Sequence, residues 1–324
     1  MHRAPPPPGR GAPLLPAAGL PHDSHLWILV PWPFCYSGTE TSPAGAPRQG
    51  RFHARGVIAL GQAIHPNHQR AVDRLIERYR HDPTCLALII AGSVAKGTAR
   101  PDSDLDFLLV VTDEAYAARS ARGEHWVFHG DITDYEGGYA DGKLVDLAFL
   151  EDVAQRGSEV ARSAFVGAFA PFTRLSGLAE LLRRIPVYPE QEREEKMKAF
   201  FAQALILHWY IGEGEKRKDR YLLTRAAADL SLYGGRAVLA YNRILFPFHK
   251  WFIHALETAP EKPAGLLELT RALLDRPCRT TSQAYLDALA GWRDWGVTHQ
   301  EAVVRFMQDT EWNWRNGRAP LNDW

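Results

Sequence analysis

The sequence predicts an α+β protein: a small mixed β-sheet with flanking helices, followed by a bundle made only of helices. Three observations carry this expectation. Short apolar runs of strand length follow one helical pattern between residues 66 and 150. Strand-like runs cease after about residue 186. From there onward, long stretches repeat their apolar residues at helical spacing.

The first 56 residues fit neither part. Eleven of the 22 prolines fall in residues 1–50, which contain no lysine and no helical or strand periodicity. Such a composition does not bury enough apolar surface to fold, so residues 1–56 are expected to form a disordered Pro-rich leader or to reflect a misassigned start. A sheet domain is expected over residues 57–185 and a helical domain over residues 186–324.

The helical pattern opens the sheet domain. PNHQRAVDRLIERYRHDP (residues 66–83) places Ala71, Val72, Leu75, Ile76 and Tyr79 on one face. Pro66 suits a first helical turn and Pro83 ends the run. CLALIIAGS (residues 85–93) is apolar, short and closed by a small-residue turn, which predicts a buried strand. SDLDFLLVVTD (103–113) predicts a second strand and EHWVFHG (124–130) a third. DYEGGYADGKLVDLAFL (134–150) contains Gly-Gly and an Asp-Gly turn signal before a strand expected at residues 144–150.

The helical half begins with EREEKMKAFFAQALILHWYIGEG (192–214), whose charges gather at its start. KDRYLLTRAAADLSLYGGRAVLAYNRILF (218–246) predicts a second long helix, with Gly234-Gly235 as a candidate bend. Residues 248–259, 264–275 and 285–295 continue the pattern. No repeat of fixed period is present.

Composition bounds the function. Lys+Arg and Asp+Glu are both 38, so the chain carries no formal net charge and no extended basic footprint for templated nucleic acid. The three cysteines, Cys35, Cys85 and Cys278, lack metal-ligand spacing and predict a reducing compartment. No apolar stretch reaches the roughly 18 residues of a membrane helix, and the proline-broken start lacks a signal-peptide core. A cytoplasmic protein is expected, with its oligomeric state open.

The chemistry concentrates in IIAGSVAKGTARPDSDLDFLLVV (89–111). Side chains alternate along a strand, so Asp104 and Asp106 point one way while Leu105 and Phe107 point the other. Two like charges side by side in a buried strand demand a cation, and a hard divalent ion such as Mg²⁺ prefers oxygen ligands and bridges carboxylates to phosphates. A capped turn with a wet edge is the plainer alternative; it fits poorly before the five consecutive apolar residues 107–111. The Gly92-Ser93 turn lets backbone N–H groups approach a phosphate, and Lys96 adds a charge. The pattern is neither a Walker loop nor a dinucleotide fingerprint.

GSVAKGTARPDSDLDFLLV resembles the signature of the nucleotidyltransferase superfamily with the DNA polymerase β-like palm. That signature is Gly-Ser, a spacer, Asp-x-Asp on the next strand and a third carboxylate on a later strand. The matching positions are Gly92, Ser93, Asp104 and Asp106. Asp146, an acid among apolar residues 40 positions after Asp106, is the favoured third carboxylate. Glu136 and Asp141 are alternatives set near glycines. The resemblance implies two metal ions held by Asp104, Asp106 and Asp146, and an NTP donor whose α-phosphorus is attacked by an acceptor hydroxyl. Asp146 would bind metal, take the proton, or both. Gly92, Ser93, Lys96 and Ser103 are the expected nucleotide contacts. Arg162, in the segment after the third-acid strand, is a further candidate, with Arg156 beside it; a solvated helix start is the alternative for both.

The layout of a catalytic domain with a helical domain after it is similar to that of the kanamycin- and lincosamide-type antibiotic nucleotidyltransferases, although the motifs cover the first domain alone. It implies an acceptor pocket in the helical half. Arg225, Asp229 and Arg236 share one face of the second long helix and are candidates for it; a solvated Arg–Asp pair is the alternative. Lys250, among aromatics, is a candidate contact to the triphosphate, or a snorkelling lysine on an aromatic core. The expected function is Mg²⁺-dependent transfer of an NMP, AMP from ATP first, to a hydroxyl of a small-molecule acceptor such as an antibiotic. The alternatives are AMP transfer to a protein or RNA, and an inactive nucleotide sensor.

Overall fold

Residues 64–317 are described by the structure, a computed structural model. The expected leader at residues 1–56, Cys35 and the start of the folded part at Val57 lie outside the described residues.

Pro66 occupies the first turn of α1 (Pro66–Tyr79), where its missing N–H costs nothing, and Ala71, Val72 and Leu75 face inward. The sheet elements then follow: β1 (Cys85–Ile90), the short α2 (Gly92–Lys96), β2 (Leu105–Val111), α3 (Asp113–Ser120), β3 (Trp126–His129) and β4 (Ala140–Val145). After these come α4 (Leu147–Arg156), α5 (Glu159–Ser163), β5 (Phe169–Thr173) and α6 (Leu178–Arg184). The five strands are ordered β3-β4-β2-β1-β5. β2 and β4 run parallel, and every other pairing is antiparallel, so the sheet is mixed as expected.

Period-two alternation splits the sheet's side chains between two cores. Leu105, Phe107, Leu109 and Val111 of β2 join α1 on one face. Leu108 and Val110 join Leu150 and Val153 of α4 and Leu181 and Leu182 of α6 on the other. In β1 a register irregularity between Cys85 and Ala87 shifts the phase, so Cys85, Leu88 and Ile90 share the first face and Ala87 and Ile89 the second.

The apolar run at residues 144–150 is divided rather than one strand. β4 ends at Val145, and Asp146 accepts the Phe149 N–H at 2.8 Å as the N-cap of α4. The expected Asp-Gly turn at residues 141–142 is strand instead. Gly142 lies opposite Phe107, and a Cβ there would stand 2.5 Å from the Phe107 ring. The glycine makes room for that ring.

The remaining helices are α7 (Arg193–Arg217), α8 (Arg220–Tyr241), α9 (Phe252–Thr258), α10 (Leu266–Asp275), α11 (Arg279–Trp292) and α12 (His299–Phe306). They enclose their own core, which includes Met197, Leu230, Val238, Leu256, Leu273 and Tyr285. α8 runs unbroken through Gly234-Gly235. A Cβ on Gly234 would meet Tyr285 at 2.6 Å, and one on Gly235 would meet Phe252 at 2.3 Å. Those glycines therefore serve close packing, not a bend. Among the described residues no helix is long and apolar enough to cross a membrane.

Candidate active site

The acids of β2 sit on the sheet face that α4 and α6 cover further along. Asp104 immediately precedes the strand and Asp106 lies within it, both half-buried. The parallel register sets Asp141 of β4 directly beside Asp106. Lys143, two residues on, projects from the same face and is exposed. Antiparallel pairing brings Phe128 of β3 opposite Asp141 and Trp126 opposite Lys143, so both aromatics share that face.

Gly92 locks the turn after β1 to the acids. Its φ is +64°, and a Cβ there would lie 1.7 Å from Asp106 Oδ2. Only glycine allows both the left-handed backbone and the approach of that carboxylate. The Ala91 N–H donates to the Asp106 carbonyl at 3.0 Å, tying the turn to the strand at the same point. Ser93 and Lys96 follow in α2, both half-buried.

The electrostatics show a cluster short of positive charge. Burial, then the neighbouring carboxylates of Asp104 and Asp141, push Asp106 up to about 6. The positive charges of Lys250 and Lys143 oppose that rise. Burial also raises Asp141, against a hydrogen bond from the Trp126 side chain and with the help of Asp104. Tyr139 donates to Asp104 Oδ2 at 3.2 Å, and burial with the adjacent carboxylate pushes its phenol up to about 12. Burial lowers Lys96, and Asp106 works against that lowering.

Among the described residues, no group of three or more His, Cys, Asp or Glu side chains forms a ready-made metal-holding set. The donor chemistry nevertheless fits a hard cation. Three carboxylates are brought to one face, and none of them takes part in a salt bridge to a described lysine or arginine within 4.0 Å. Mutual repulsion of this kind is what a divalent cation bound through oxygens relieves.

Other expected site residues lie elsewhere. Asp146 is five positions past Asp141, so its side chain leaves the shared face and caps α4 instead. Arg162 is buried, and the carbonyls of Ala154, Gly157, Ile185 and Val187 accept its N–H groups, so it braces the fold rather than meeting a phosphate. Arg156 pairs with Asp152 on the exposed side of α4. Ser103 Oγ accepts the Arg100 N–H at 2.9 Å and shapes the turn before β2. Arg225 and Asp229 form an i,i+4 ion pair on α8 with the arginine exposed, as in the plainer reading of that stripe. Arg236, one end of the same stripe, turns to Glu159 of α5. It does not join the other two.

No sequence motif marks Tyr139, Trp126, Phe128 or Lys143. Their signal is the alternation from Tyr139 through Asp141 to Lys143, which becomes readable once Gly142 is placed in a strand.

Residues 72–167 match the family model described as the nucleotidyltransferase domain. One solved structure, a nucleotidyltransferase-like protein from Exiguobacterium sibiricum 255-15, aligns with 78% of this chain and 81% of its own at 14% identity and a TM-score of 0.40. No curated protein matches the sequence.

Proposed function

From the premise that residues 72–167 carry a nucleotidyltransferase domain, we propose that the protein moves an NMP group from an NTP, with ATP and Mg²⁺ as the first pairing to test, onto a hydroxyl of a small-molecule acceptor. The observation that carries this reading is the convergence of Asp104, Asp106 and Asp141 beside the glycine turn at Gly92.

Asp104, Asp106 and Asp141 would hold the divalent cations. When bound, these supply Lewis-acid stabilisation of the entering and leaving oxygens. The Gly92-Ser93 turn offers close backbone approach to the donor phosphates. Lys96, Lys143 and Lys250 place positive charge around the same carboxylates, where a triphosphate carries its negative charge. The acceptor oxygen forms a bond to the α-phosphorus as the bond from that phosphorus to the bridging oxygen breaks, and pyrophosphate leaves. Asp141, at the side of the cluster nearest the β3 edge, takes the acceptor proton.

The exposed rings of Trp126 and Phe128, with centroids 5.4 Å apart, and Tyr139, 5.5 Å from Phe128, extend from Asp141 as an aromatic ledge. The ledge favours a small acceptor with a flat face over a long polymer, because it lies beside the proton-taking group rather than along a basic track. Antibiotics with ring hydroxyls are the first acceptors to test.

The test is thermal unfolding of the full chain with ATP, GTP, CTP or UTP, with and without Mg²⁺, followed by labelled transfer to acceptors with the nucleotide that binds. A nucleotide at 100 times its Kd should stabilise the protein by about 2.7 kcal/mol. The stabilisation should need Mg²⁺ and vanish in Asp104→Asn/Asp106→Asn. No shift with any nucleotide at millimolar concentration would refute the reading.

A further inference from the structure

Glu159 is a charged group that the proposed chemistry leaves unused, although its side chain is only 3% exposed. It stands at the start of α5, just after the strands that carry the acids. Lys196 Nζ of α7 lies 3.1 Å from its Oε1, and a guanidinium nitrogen of Arg236 on α8 lies 3.5 Å away. The Phe246 backbone N–H donates to Oε2 at 3.1 Å. The Arg236 guanidinium is itself held between two rings, 4.3 Å from the Phe200 centroid and 4.7 Å from that of Phe246.

Phe246 belongs to the segment between α8 and α9, which also carries Lys250. The segment is strained. Arg243 has φ +59° and Phe248 has φ +68° with ψ 174°, a region open to almost nothing but glycine. Strain of that kind persists only where the surroundings over-determine the backbone. Several contacts do so here: Arg243 pairs bidentately with Glu190 at 2.8 Å, and the Phe246 ring packs edge-to-face on His249 and Phe252. Among these partners Glu159 alone comes from the nucleotidyltransferase domain.

We propose that Glu159 is a positioning residue: by accepting the Phe246 N–H and drawing in Lys196 and Arg236, it sets the course of the strained segment that carries Lys250. A buried carboxylate between two cations adds little net stability over apolar packing, because desolvation offsets the attraction. What it adds is direction. The Phe246 amide has one buried acceptor, and its placement determines where the chain four residues later runs. The role of Lys250 at a phosphate rests on the proposed nucleotidyl transfer; the anchoring of the segment by Glu159 does not.

The experiment compares full-length wild type, Glu159→Asp and Glu159→Gln. Three quantities are read: amide hydrogen exchange over residues 244–251, acylation of the Lys250 amine by an N-hydroxysuccinimide ester, and KM and kcat for the NTP. Glu159→Asp keeps the charge but withdraws the acceptor by one methylene. Exchange at Phe246 should rise about tenfold, Lys250 labelling should change, and KM for the NTP should rise about tenfold while kcat moves less. Glu159→Gln keeps an acceptor oxygen and should fall between Asp and wild type. Combining Glu159→Asp with Lys250→Ala should raise KM no further than Lys250→Ala does.

Unchanged exchange and labelling in Glu159→Asp would overturn the anchor, whatever the enzyme does. Faster exchange with an unchanged KM in an active enzyme, or additive effects with Lys250→Ala, would overturn the link to the site. If wild type neither binds nor transfers a nucleotide, the functional reading fails on its own, and exchange and labelling still decide whether Glu159 sets the segment. Should Glu159→Asp not fold, Glu159→Gln carries the same readouts, with a smaller rise in exchange expected and no rise refuting the anchor.

Discussion

Asp106 and Asp141 are register partners across the parallel β2–β4 pair, so two carboxylates from strands 35 positions apart stand side by side on one face. Asp146, the more strand-like acid by its neighbours, lies past the end of β4 and spends its carboxylate on the Phe149 N–H. Position in the sheet, not apolar flanks, is what brings Asp141 beside Asp106.

This separates two substitutions. Asp141→Asn should lower nucleotidyl transfer by at least about 10²-fold, the scale of losing one electrostatic contributor to a transition state. It should leave the fold intact, since it removes repulsion. Asp146→Ala should keep activity and lose a helix cap, at a cost of about 1 kcal/mol. Pyrophosphate release and thermal unfolding on both variants decide the matter. Normal turnover in Asp141→Asn would remove it from the site.

The sequence makes the outline of the fold and two of the three clustered acids legible because those signals are local. Gly92-Ser93 and Asp104-x-Asp106 are ordered within 15 residues, and their meeting follows from a strand, a turn and a return strand. The helices of the second half announce themselves by periodicity. Asp141 is the less favourable candidate in the sequence because Gly142 beside it reads as a turn. The physical need for that glycine, the Phe107 ring, comes from another strand and cannot be seen in either segment alone. Asp146 misleads for the opposite reason. The apolar run around it is the end of β4 joined to the first turn of α4, where Leu150 packs on the sheet. The helical-half candidates separate in the same way: Arg225 and Arg236 share a helix, but only Arg236 has a buried acid from another element within reach.

The Gly142–Phe107 contact is testable by itself. Gly142→Ala would drive a Cβ into the ring at 2.5 Å, and overpacking of this kind costs about 1–3 kcal/mol. It should also lower activity, because Gly142 adjoins Asp141 and Phe107 adjoins Asp106. Phe107→Leu removes the ring and should restore room for the alanine. The double variant should therefore be more stable than the sum of the two single effects predicts. Strict additivity in denaturant unfolding would show that the ring is not what the glycine accommodates.

In the helical half, His208 supplies a pH dependence. Its Nδ1 lies 2.8 Å from the Ser282 hydroxyl, which is fully buried. Burial, then the nearby Arg279 charge, lowers the imidazole below its ordinary 6.5. With the folded value depressed, the unfolded chain binds more protons through this window, so stability rises with pH. The contribution is complete above pH 6.5 and is lost as pH falls through the depressed folded value. His208→Asn keeps a polar atom near the serine and does not titrate. Melting temperatures from about pH 8 to about pH 5 should show the gap between wild type and variant closing as the pH drops. A gap that stays constant would mean that the ring does not titrate with folding.

The aromatic ledge gives the sharpest test of where the acceptor sits. Trp126 is 62% exposed and neighbours Phe128 at 5.4 Å, on the same face as Asp141. An exposed indole on an edge strand gains nothing from burial in the free protein, so its energetic value lies in what covers it. If the acceptor rests there, Trp126→Ala should raise KM for the acceptor about tenfold, the value of one aromatic contact. The Kd for the NTP should not move. Trp126→Phe keeps a ring, so it should recover most of the acceptor KM. A raised KM for the NTP with an unchanged acceptor KM would instead put the nucleobase on the ledge and the acceptor on the opposite side of the carboxylates.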